Sequence, residues 1–169
     1  VTAAAWSFYA LGAPASQGSK RHVGNGIMVE SSKALRPWRD TVTAAGYGAG
    51  PCLDGPIVAK VVFTLPRPKS ARKADFAPCR GIDVDKALRA VFDAVTAAGL
   101  WGDDARVVDM LRLAKVWTGF DDDALPVPGV IVAAAELAAW EAPIASCLEA
   151  FHTAKDAAWC AYQHEKEPA

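Results

Sequence analysis

The sequence is poor in the residues that staple a small protein or clasp a soft metal. Its four cysteines, Cys52, Cys79, Cys147 and Cys160, contain no Cys-x-x-Cys pair, and their spacing makes neither a zinc site nor a disulfide framework. They read as reduced, partly buried thiols. No strongly apolar run approaches the roughly 18 residues that a membrane helix needs, and no secretory signal is present. No internal repeat is evident. These absences point to a soluble cytoplasmic chain with no membrane partner. What is present is enough for one core: 169 residues, 52% of them hydrophobic, although alanine supplies much of that share.

Charge of neither sign dominates the whole, yet the two halves differ. Residues 1–80 hold 11 Lys or Arg against 4 Asp or Glu, and the remainder holds 7 against 15. The basic residues gather at Lys20, Arg21, Lys33, Arg36 and Arg39, and again at Arg67, Lys69, Arg72, Lys73 and Arg80. Such patches suit a nucleic-acid backbone even on a nearly neutral chain. They also suit a solvated basic face.

The apolar pattern predicts strands over residues 6–11, 27–29, 57–65, 106–117 and 129–135. The clearest is 57–65, β-branched and bounded by Pro56 and Pro66. A helix over 33–45, with Ser32 as its cap and Pro37 in its first turns, would turn Leu35, Trp38, Val42 and Ala45 inward. A second, over 86–96, would bury Leu88, Val91, Phe92 and Val95. The 106–117 strand should alternate, with Val107, Asp109, Leu111, Leu113 and Lys115 on one face. Residues 16–26 read as a surface loop, 67–81 as a basic proline-containing loop and 118–128 as an acidic one. This order predicts a single-domain α/β fold, a mixed sheet with flanking helices, carrying a C-terminal helical extension over about 136–163.

The densest chemistry is acidic. Asp83, Asp85, Asp93, Asp103 and Asp104 fall within 22 positions around the second helix. One intervening residue would put Asp83 and Asp85 on the same side of an extended segment, and Asp85 can cap the helix. Asp85, Arg89 and Asp93 share a helical stripe. If the fold closes both ends of this stretch onto one pocket, the carboxylates repel unless a cation neutralises them, and Mg²⁺ or Mn²⁺ prefers such oxygen ligands. The same residues also read as a cap, an ion pair and a solvated Asp-Asp turn.

The run Asp83-Val84-Asp85-Lys86-Ala87-Leu88-Arg89-Ala90-Val91-Phe92-Asp93-Ala94-Val95, followed by Gly99-Leu100-Trp101-Gly102-Asp103-Asp104-Ala105-Arg106-Val107-Val108, resembles the RusA family. Those are phage and prophage endodeoxyribonucleases that resolve Holliday junctions. Their pattern is Asp-x-Asp-Asn-x-x-Lys, a helix ending Asp-Ala-Leu, an Asp-Asp turn and a strand. The resemblance lies mainly in residues 57–117, with a looser fit at Pro66-Arg67-Pro68-Lys69 and a weaker one over the first strand and the loop after it.

The resemblance implies a Mg²⁺-dependent (or Mn²⁺-dependent) homodimer acting on branched DNA, with Asp83, Asp85 and Asp104 as catalytic metal ligands. Arg89 falls on the family's essential lysine and Lys86 on its usual asparagine; both are departures. On this reading Lys20, Arg21, Arg67, Lys69, Arg72, Lys73 and Lys86 contact DNA, and Trp101 or Phe76 is a wedge or a core aromatic. Asp93 would orient Arg89, and Asp103 would sit in the turn. A non-catalytic binder of branched DNA on the same fold, or a metal-dependent phosphohydrolase of a small substrate, would fit the same residues.

Overall fold

The computed structural model describes residues 4–18, 20–22, 28–30, 32–137 and 142–166, with the side chains of 20–22, 28–30 and 142–144 outside the description. Its elements run β1 (Ala5–Leu11), β2 (Lys20–His22), β3 (Met28–Glu30), α1 (Leu35–Gly46), β4 (Ile57–Leu65), α2 (Val84–Ala97), β5 (Val107–Trp117), β6 (Gly129–Glu136) and α3 (Ala142–His164). The main sheet has the order β1-β6-β4-β5. β6 pairs antiparallel with both β1 and β4, whereas β4 and β5 are parallel. A parallel pair needs a long crossover, and α2 supplies it. The mixed α/β sheet with flanking helices is the expected one.

The two middle strands are buried on both faces, and their side chains sort by parity. Ile57, Ala59, Val61 and Phe63 of β4 join Val130, Val132 and Ala134 of β6 in a core under α1 and α2. Trp6 and Phe8 of β1, Val42 of α1, and Val91 and Val95 of α2 complete it. On the other face Val58 and Val62 meet Ile131, Ala133 and Ala135 and are covered by Cys147, Phe151, Ala154 and Ala158 of α3. The C-terminal helix therefore caps the sheet's second face.

Several expectations shift in detail. Part of the segment read as a loop over 16–26 pairs as β2 with β3. The cap position of α1 is Ala34, with no side-chain hydrogen bond, so Ser32 is not the cap; its backbone oxygen accepts from the amide of Leu35. Pro37 is tolerated because it lies in the first turn, where its missing N–H would have no helical acceptor. α2 begins at Val84, which gives the cap position to Asp83 and places Asp85 inside the first turn. Gly99, with φ of +76°, takes the left-handed conformation that ends α2.

The regular alternation expected along β5 is broken. Two register shifts against β4 leave Val108 and Leu111 unmatched. Val107, Met110 and Leu113 consequently pack toward α2, and Leu111 and Ala114 toward α3. Because β5 is an edge strand, these bulges also spoil its outer edge for pairing.

Candidate active site

The β4–α2–β5 crossover fixes where the acidic residues stand. Chain leaving β4 at its carboxyl end passes through the 66–82 loop, enters α2 at Asp83, and descends to Ala97. It then turns through Asp103 and Asp104 and climbs again as β5. Asp83 and Asp85 thus lie at the carboxyl end of the parallel pair, and Asp104 lies at its amino end. Over the 14 residues of α2, a rise of 1.5 Å per residue separates those ends by roughly 20 Å. The expected convergence of the two acidic clusters does not occur within one chain, because the rigid helix between them is its own spacer.

At the upper end, Asp83 has an extended backbone and its carboxylate accepts from Lys86 Nζ at 2.6 Å. That hydrogen bond, then the charge of Lys86 and more weakly that of Lys115, hold Asp83 below the usual carboxylate range, and the same bond raises Lys86. Both side chains are exposed, so solvent screens the pair. Asp85 is exposed in the first turn, where the positive end of the helix favours an anion. Arg89 is exposed one turn on. Lys115 reaches across from β5 to donate to the Ile82 carbonyl at 2.8 Å. Lys115 was not singled out in the sequence. Its signal is a charge near the carboxyl end of a strand that pairs in parallel, and this appears only once the pairing is known.

The lower end is a separate hollow of about 410 Å³ bordered by Arg39, Asp93, Thr96, Gly102, Asp103 and Asp104. Asp93 pairs with Arg39 of α1 at 3.3 Å, so it does not orient Arg89. Asp103 caps the short turn Asp104–Arg106 by accepting from the Ala105 amide at 2.7 Å, the turn role expected of it. Trp101 is not a wedge: it is 1% exposed, edge-on to Phe92, and its indole donates to Thr96. Phe76 is 83% exposed on the basic loop. Among the described residues no group of three or more His, Cys, Asp and Glu could hold a metal ion. One chain by itself does not fit a cation shared by Asp83, Asp85 and Asp104.

The expected DNA contacts divide by what else they do. The guanidinium of Arg67 lies over Phe120 and Trp117 and donates to the Arg72 carbonyl, and Arg72 forks onto Asp75. These two arginines build the loop. Lys69 and Lys73 are exposed and make no ion pair among the described residues. Lys86 is engaged with Asp83. Lys20 and Arg21 belong to β2, and their side chains lie outside the described part.

A model of the family described as Endodeoxyribonuclease RusA matches residues 12–120, more than half of the sequence. The chain belongs to the RusA family. The match takes in the whole β4–α2–β5 crossover with both acidic clusters and stops at Phe120, so β6 and α3 lie beyond it. No curated protein matches the chain. RusA membership carries nuclease-type activity at the level of the family, and no described helix is long and apolar enough to cross a membrane.

A second charged group, absent from the sequence reading, lies on the α3 side. Lys60 of β4, 5% exposed, pairs with Asp123 at 2.9 Å, and Arg112 of β5 bridges Asp121 and Asp123. The Lys60 ammonium also sits 3.8 Å from the centre of the Phe151 ring. This network ties the acidic loop over 118–128 to the sheet and to α3. It faces away from α2 and serves the fold.

Proposed function

We propose that this chain is a divalent-cation-dependent endonuclease that resolves four-way DNA junctions, working as a homodimer whose cation sites form where two copies meet. The single observation behind this reading is the separation of Asp83 and Asp85 from Asp104 by the length of α2. A cation–oxygen bond of about 2 Å cannot bridge that separation in one chain. A second copy related by a twofold axis can bring its Asp104 to the first copy's Asp83 and Asp85, and the same axis makes the reciprocal site. Two sites related by a twofold suit the two opposed strands of a four-way junction.

Asp83, Asp85 and the partner's Asp104 would hold Mg²⁺ or Mn²⁺. When bound, such an ion lowers the pKa of its water and neutralises charge developing on the phosphate. The chain's own groups do the rest. Arg89, on the same stripe as Asp85, offers fixed positive charge to a phosphate oxygen, and as an arginine it cannot act as a base. Lys69 and Lys73, with Arg67 and Arg72 behind them, would hold backbone phosphates without reading bases. Family membership supports a phage or prophage protein acting in the bacterial cytoplasm.

The test is cleavage of a synthetic four-way junction with Mg²⁺, expected to leave 5′-phosphate and 3′-hydroxyl ends and to disappear in Asp85→Asn while junction binding survives. A second reading, a non-catalytic binder of branched DNA, draws on the departures at Lys86 and Arg89 and on the engagement of Asp83 by Lys86. Junction affinity without scission in either Mg²⁺ or Mn²⁺ would establish that reading. Absence of salt-sensitive DNA binding would sink both and leave a small phosphorylated substrate.

A further inference from the structure

A cavity of about 790 Å³ lies under the basic loop immediately before Asp83. Its floor is the carboxyl end of the parallel pair, Leu65 of β4 and Trp117 of β5, and Pro68, Pro78 and Ile82 close its sides. Arg72, Asp75 and Arg80 supply its charge. In sheets with parallel strands, ligands bind outside the carboxyl ends of those strands, and here that place adjoins the Asp83–Asp85 end of α2. The volume falls in the roughly 300–1,000 Å³ range of small-molecule sites.

The lining decides between two DNA-derived occupants. Of the two arginines in the lining, Arg72 is already forked onto Asp75, which it keeps ionised by two side-chain hydrogen bonds and one from its backbone amide, so a phosphate would find Arg80 alone among walls that are largely carbon. An anion gains little in such a cavity. A nucleobase gains apolar contact with Leu65, Pro68 and Ile82, and a carboxylate able to accept from an exocyclic amino group. Arg80 and the exposed Lys69 and Lys73 stand on this same loop for the phosphates that flank such a base. Enzymes acting on a duplex unstack a nucleotide at modest cost, least where pairing is already broken, as at a branch point.

We infer that this cavity receives one unstacked nucleobase of the branched DNA, next to the phosphate presented to Asp83 and Asp85. The inference rests on the branched-DNA reading above and adds a base-contacting site to it. A base held there would give the chain a preference among cutting positions.

The experiment uses four-way junctions carrying 2-aminopurine at successive positions around the branch, with full-length protein and Ca²⁺, so that no cutting is needed. A severalfold rise in emission at one position on binding is the expected result. Ala77→Phe and, independently, Ser70→Trp place bulk against the cavity; each should remove most of that rise while circular dichroism and salt-dependent junction affinity stay near wild type. The inference is overturned if binding brings no rise at any position, or if two folded, junction-binding filled variants keep the rise. Cleavage in Mg²⁺ without any rise would remove the base site and leave the nuclease reading standing. A rise lost in the filled variants, on a protein that never cuts, would keep the base site and remove the nuclease reading.

Discussion

Consider two inactive variants, Asp85→Asn and Asp104→Asn, refolded together. Each side chain stands at a different end of α2, whose 14 residues span roughly 20 Å, some ten times a cation–oxygen bond. If each cation is held by Asp83 and Asp85 of one copy and Asp104 of the other, a mixed dimer contains one doubly damaged site and one intact site. Half the dimers are mixed at equal dose, so about one quarter of all sites recover from two preparations that separately have none. The product also changes. A dimer with one live site cuts one strand, so a cruciform plasmid should accumulate as nicked circles, where wild type makes linear DNA. If the three carboxylates served one chain alone, mixing would restore nothing, because every chain lacks one ligand. A mixed sample as inactive as its parents, with exchange verified by differently tagged chains, would refute the two-copy site.

Other consequences concern charge and burial. Asp123→Asn removes the anion between Lys60 and Arg112 and leaves a buried ammonium unpaired, which should cost about 3–5 kcal/mol in urea denaturation. Hydrogen bonds from Arg112 lower Asp121; burial works to raise Asp123, but Lys60 and Arg112 outweigh it, so its pKa also lies below the ordinary value. Lowered folded values mean stability that is present at neutral pH and lost on acidification, so thermal scans should show Tm falling below about pH 4, less steeply in Asp121→Asn. The Cys147 thiol, pushed up to about 12 chiefly by burial, should resist alkylation at pH 8 until the protein unfolds, whereas exposed Cys52, Cys79 and Cys160 react in the native state. Lys69→Ala and Lys73→Ala should each lower the slope of log affinity against log salt for junction DNA by about one.

The sequence made the middle strands and α2 legible because their burial is periodic. Ile57–Leu65 is buried along almost its whole length between two helical layers, and the inward stripe of α2 falls where the i, i+3, i+4 spacing puts it. β5 was legible as a strand but not in its facing, since two unmatched residues carry no local signature and arise only from pairing with β4. The acidic residues were found by type and spacing. Their arrangement was misjudged because closeness in sequence across a helix is distance in space. The Lys60–Asp123–Arg112 network could not be read at all. Its members are 63 positions apart at the extremes, and a lysine inside an apolar strand declares a partner without naming it.

The departures at Lys86 and Arg89 limit what this end of α2 can do. Lys86 holds the Asp83 carboxylate through one exposed contact, and a hard cation arriving there must displace that ammonium. Screening makes the displacement easy, so the pair is compatible with a cation-binding role and keeps Asp83 neutralised beforehand. Arg89 has no such flexibility. Its charge persists at every working pH, so it serves by position and electrostatics and neither gives nor takes a proton. Lys115 is committed to the Ile82 carbonyl, where it steadies the chain just ahead of Asp83. Among the described basic side chains at this end, Arg89 and Lys115 are therefore not proton relays; Lys86, once a cation displaces it, is the ammonium left free, and the proposed chemistry otherwise reduces to holding a phosphate and a cation in line.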